Sequence, residues 1–85
     1  MYKCPKSGLI VYETVEDFRD QTIALAYEDA QNYYFRVASH DFYDNRIWIV
    51  NKSTKAVSDM FFTDWMCDVM DSTTPMEVEA LKRAL

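Results

Sequence analysis

The stretch "RIWIVN", residues 46–51, alternates so that Ile47 and Ile49 face one way and Trp48 and Val50 the other. Both sides are apolar, the pattern of a strand covered on both faces. Upstream, residues 22–38 carry two periods at once. Helical spacing runs through Ile23, Tyr27, Ala30, Tyr34 and Val37. Strand alternation runs through Ile23, Leu25 and Tyr27, and again through Tyr33, Phe35 and Val37. The polar "EDAQN" between the two runs is a hairpin loop, and Tyr-Tyr-Phe-Arg-Val is rich in strand formers, so the strand reading is preferred. "NKSTK" turns the 46–51 strand into a further short one at about 56–58, which makes an antiparallel meander.

The flanks read differently. The lone glycine, Gly8, lies in the turn "CPKSG", which leads into a short strand "LIVYE". Thr14 before "VEDF" is an N-cap with acids in the first turn, predicting a short helix near 15–21. Over 59–71 the spacing is helical. Phe61, Phe62, Trp65, Met66, Val69 and Met70 fill an arc of about 180°, with Asp64, Asp68 and Asp71 in a band of roughly 60° opposite. "TTPMEVEALKRAL" offers Thr74 as N-cap, Pro75 as first helical residue and Glu77 as capping-box partner, predicting a helix over 75–84. The expected fold is α+β: one domain over 1–85, an antiparallel sheet of three to four strands, and about three helices packed largely on one face.

Eighty-five residues, 49% of them apolar and 15% aromatic, suffice for one core without metal or disulfide. Cys4 and Cys67 form no C-x-x-C and are expected to be free thiols. "LIVY" is too short for a signal peptide core or a membrane span, so the expected location is cytoplasmic.

The net charge is −5, and it is unevenly spread: residues 1–55 carry −1 and residues 56–85 carry −4, with no Lys or Arg between Lys55 and Lys82. Direct nucleic-acid binding needs a basic stripe, which is missing; a partner with a basic surface fits better. His40 is the single histidine, and one glycine cannot supply an oxyanion loop or a phosphate cradle, so neither catalysis nor a cofactor is expected. The EF-hand spacing is absent as well, and no metal is expected.

What remains is surface. Asp64, Asp68 and Asp71 are costly choices on a helix, because like charges at i, i+4 cost about 0.2–0.5 kcal/mol per pair and the dipole disfavours anions towards the C-terminal end, where Asp68 and Asp71 lie. A rule broken without local compensation points to partner binding. Phe42 and Tyr43 in "HDFYDN" form a second candidate contact, as aromatic anchors between acids. Glu28 and Asp29 at the hairpin tip form a third.

The blocks "IALAYED" and "TDWMCDVMD" resemble the small early proteins of T7-like phages that inhibit the host dGTP triphosphohydrolase. The resemblance implies a non-catalytic inhibitor of a host protein, acting in the host cytoplasm. It reaches Tyr27, Glu28, Asp29, Thr63, Asp64, Trp65 and Asp71, with Trp65 read as core and the acids as contacts. The rival readings are a DNA mimic occupying a nucleic-acid-binding groove, and a structural or assembly module.

Overall fold

The computed structural model describes residues 1–38 and 45–85. In chain order these form β1 (Tyr2–Lys3), β2 (Ile10–Val11), a 3-10 turn (Val15–Phe18), β3 (Ile23–Glu28), β4 (Asn32–Val37), β5 (Arg46–Asn51) and β6 (Val57–Phe61). There follow α1 (Phe62–Asp68), a second 3-10 turn (Met70–Ser72), β7 (Thr74–Pro75) and α2 (Val78–Ala84). The fold is α+β. A five-stranded antiparallel sheet has the order β6-β5-β4-β3-β7, and β1 and β2 form a separate two-stranded ribbon.

The meander expected from the alternation is present, and the hairpin reading of residues 22–38 holds: Tyr27 pairs with Tyr34 and Glu28 with Tyr33. One side-chain assignment does not survive. Ile23 pairs with Val37 but Leu25 pairs with Arg36, so β3 carries an extra residue, Ala24, in a β-bulge. The bulge reverses the facing of Ile23, which buries beside Ala26 and Phe35, while Leu25 and Tyr27 pack on the other side.

The sheet is covered on both faces, not largely on one. Phe18 from the first 3-10 turn, Tyr12 and Leu81 from α2 bury against Phe35, Trp48 and Val50. Trp65 from α1 buries against Tyr34 and Ile47 on the opposite face. The two-sided apolar pattern of β5 requires this, since a strand with Ile47 and Trp48 both buried needs cover above and below.

The helical elements are shorter than their sequence patterns. At 15–21 only a 3-10 turn forms, closed where Asp17 Oδ2 accepts hydrogen bonds from the N–H groups of Glu13 (2.8 Å) and Thr14 (3.1 Å). At 59–71 the first three positions belong to β6, which pairs with β5 as far as Phe61. At 75–84 the capping box does not form. Thr74 and Pro75 instead pair with Glu28 and Tyr27, Met76 N–H donates to Ala26 O (3.0 Å), and Glu77 becomes the N-cap. Cross-strand hydrogen bonds here outcompete a local cap, and proline, lacking an N–H, fits a short edge strand.

Candidate functional site

Alpha helix α1 grows directly out of β6. Phe61 is still extended (φ −64°, ψ 135°), and the Phe62 N–H donates to Asn45 O at 2.8 Å, which fixes how the helix leaves the sheet. Trp65, one turn on, is fully buried; its ring lies 5.0 Å from Tyr27, 6.0 Å from Tyr34 and 5.7 Å from Phe62, between ring centroids. The Arg36 guanidinium sits 4.3 Å over the outer ring, Phe62. These anchors determine which side of α1 is left to solvent.

The helix ends at Asp68. Val69 departs from helical geometry (φ −121°, ψ −36°), and a 3-10 turn follows, in which the Ser72 hydroxyl donates to Val69 O (2.7 Å) and the Thr73 hydroxyl to Met70 O (2.8 Å). The hydroxyls satisfy carbonyls that a continuing helix would have used. Asp68, an acid in the last turn where no basic residue stands, weakens the C-terminal end and favours this early stop, whereas Asp64 lies in the first turn, where the dipole suits it.

Asp64 and Asp68 therefore lie on α1, whereas Asp71 lies beyond it, and all three are exposed. None of the three forms an ion pair among the described residues. The expected apolar arc is broken. Trp65 is core, Phe62 and Val69 are half-buried, but Phe61 is 62% exposed, Met66 41% and Met70 37%. A continuous 100° step counted across a strand, a seven-residue helix and a 3-10 turn assigns the wrong phase at both ends. Phe61, Met66 and Met70 are thus surface residues that sequence reasoning placed in the core. For Phe61 the cause is the strand continuing through it by pairing with Arg46 of β5, and for Met70 the 3-10 turn that follows α1.

The hairpin acids have intrachain work. Glu28 pairs with Lys52 at 3.0 Å. Asp29 Oδ1 accepts from the N–H groups of Gln31 (2.8 Å) and Asn32 (2.7 Å), and its Oδ2 accepts from the buried Tyr34 hydroxyl at 2.7 Å. Burial pulls the Asp29 carboxyl upward, but the Tyr34 hydroxyl, the two N–H donors and the Lys52 charge outweigh it and hold it below the usual range. Burial, and then Asp29, pushes the Tyr34 hydroxyl up. A carboxyl whose folded pKa is depressed contributes stability that is present above its unfolded value, about 3.9, and lost as pH falls through the folded one. Thermal melts between pH 7 and pH 2 should show Asp29→Asn with a shallower loss of Tm in acid than wild type. Parallel loss in the two proteins would mean that Asp29 carries none of the acid sensitivity.

Phe42 and Tyr43 lie outside the described residues. Cys4 and Cys67 are free thiols, and the Ser7 hydroxyl, with the backbone of Ser7 and Lys6, lowers the pKa of Cys4. Among the described residues no group of three His, Cys, Asp or Glu side chains converges as metal ligands, and no helix is long and apolar enough to cross a membrane. Compared with protein-family models, curated proteins and solved structures, the chain matches none.

Proposed function

We propose that the chain is a small protein-binding inhibitor that docks on a basic surface of a partner through the outer side of α1. One observation carries this reading: Asp64, Asp68 and Asp71 are exposed without ion-pair partners among the described residues, in a segment that also exposes Phe61, Met66 and Met70. Aromatic and methionine side chains are enriched at the centres of protein interfaces, while acids at the rim steer a basic partner and add little affinity once docked. The resemblance of "IALAYED" and "TDWMCDVMD" to the phage inhibitors of host dGTP triphosphohydrolase makes that enzyme the first partner to test. The same reading puts the action in the host cytoplasm and assigns no catalysis to the chain.

The experiment is a titration of purified bacterial dGTP triphosphohydrolase with this protein, alongside capture of partners from a bacterial lysate. Asp64→Asn/Asp68→Asn/Asp71→Asn should keep or raise Tm, because it relieves the like-charge pair Asp64–Asp68. Its association rate with the captured partner should fall by about tenfold or more at low salt and differ less as salt rises. If the triple variant associates as fast as wild type, the acids are only the solvated side of α1. A DNA mimic would instead be displaced by duplex DNA.

A further inference from the structure

The edge of the sheet opposite β6 is incompletely closed. Strand β7 covers β3 only at Tyr27 and Glu28, and after the Met76–Ala26 hydrogen bond the chain turns away into α2. Next to this turn an open groove of about 710 Å³ runs between β3, from Ala24 to Glu28, and the segment from Pro75 to Ala80. That volume falls in the range of small-ligand pockets, roughly 300–1,000 Å³. Half-buried Met76 and Val78 line it from the α2 side of the sheet and half-buried Leu25 from the α1 side.

The charged residues lining the groove are all acidic: Glu28, Glu77 and Glu79. Glu28 is partly neutralised by Lys52, whereas Glu77 and Glu79 are exposed and have no ion-pair partner among the described residues. The nearby Lys82 ammonium is committed elsewhere, donating to the carbonyls of Arg19 and Gln21. A second copy of this chain would bring net charge −5 against the same acids. Charge complementarity selects a cationic occupant, and the shape, a trough in line with a two-residue edge strand, selects an extended one.

We propose that this groove binds a short extended peptide segment of a partner protein in which apolar residues alternate with Lys or Arg. The segment lies in line with β7 along β3, its apolar side chains over Met76 and Val78 and its cations at Glu77 and Glu79. Extra strands are commonly accepted at open sheet edges in this way, with side-chain pockets setting the preference. The site is separate from the outer side of α1 and stands or falls independently of it.

The test is an NMR titration of the isotope-labelled full chain at physiological salt with the capped hexapeptide Lys-Val-Lys-Val-Lys-Val, and in parallel with its Glu-Val counterpart. The lysine peptide should give saturable shifts at amides 24–28 and 76–80, and the glutamate peptide none. Glu77→Gln/Glu79→Gln should weaken binding about fivefold, the scale of two exposed ion pairs. Asp64→Asn/Asp68→Asn/Asp71→Asn removes more charge from another surface and should leave it unchanged. Both variants keep the wild-type fold if their dispersed spectra overlay outside the mutated sites. Absence of saturable shifts, shifts centred on α1, or equal weakening by the two variants would overturn the proposal. Concentration-dependent shifts at the groove without peptide would overturn it in favour of self-association.

Discussion

Trp65→Ala is expected to lower unfolding stability by about 3–5 kcal/mol, the range for removing a buried Trp or Phe side chain. For 85 residues the whole stability is on the order of 4–13 kcal/mol, so a large part of it rests on this one ring. Trp65 is the largest fully buried side chain among the described residues, and it is the buried α1 residue on this face, wedged among Tyr27, Tyr34, Ile47 and Phe62. Its removal leaves a cavity that Tyr27 and Tyr34 cannot fill without moving off the sheet, and α1, only seven residues long, has little intrinsic stability to hold its place. Trp65→Phe should behave very differently. The indole Nε1 is buried with no hydrogen-bond partner among the described residues. An unsatisfied buried donor costs about 1–3 kcal/mol, which the phenyl ring avoids while keeping much of the contact area. The measurement is urea unfolding followed by circular dichroism. An alanine variant with the wild-type midpoint would show that α1 does not seal this face.

The second large effect lies on the opposite face. Phe18→Ala should also cost about 3–5 kcal/mol, although Phe18 sits in a four-residue 3-10 turn that contributes little by itself. Phe18 is fully buried and packs on three rings at once, 4.7 Å from Tyr12, 4.8 Å from Phe35 and 5.6 Å from Trp48, between centroids. It ties the N-terminal segment to the centre of the sheet, so its loss should also release β1 and β2. Amide exchange at Tyr2, Lys3, Ile10 and Val11 should accelerate in the variant more than exchange in β4 and β5. Equal protection of the ribbon in variant and wild type would mean that it docks without Phe18. Because Phe18 and Trp65 lie in separate clusters on opposite faces, the two losses should add to within a few tenths of a kcal/mol, if the double variant still folds.

Local chemistry decided much of this molecule. Alternating apolar residues in 23–28, 32–37 and 46–51 place β3, β4 and β5 in one antiparallel meander, because period-two patterns bury their apolar side chains only in a sheet. Gly8 allows the positive φ of 74° that the Cys4–Leu9 reversal needs. The acids of the 63–71 stretch were legible as surface, since three unpaired aspartates have no place in a core. Tertiary structure decided the rest. The bulge at Ala24 turned Ile23 to the other face, a one-residue slip that no alternation count detects. Pairing with Tyr27 and Glu28 drew Thr74 and Pro75 out of a good capping box into β7, and so opened the groove beside α2. Pairing with β5 carried β6 through Phe61 and shortened α1, and left Phe61 on the surface. In each case a local preference worth about 1 kcal/mol yielded to hydrogen bonds and burial with residues distant in sequence. Those partners exist only once the chain has folded.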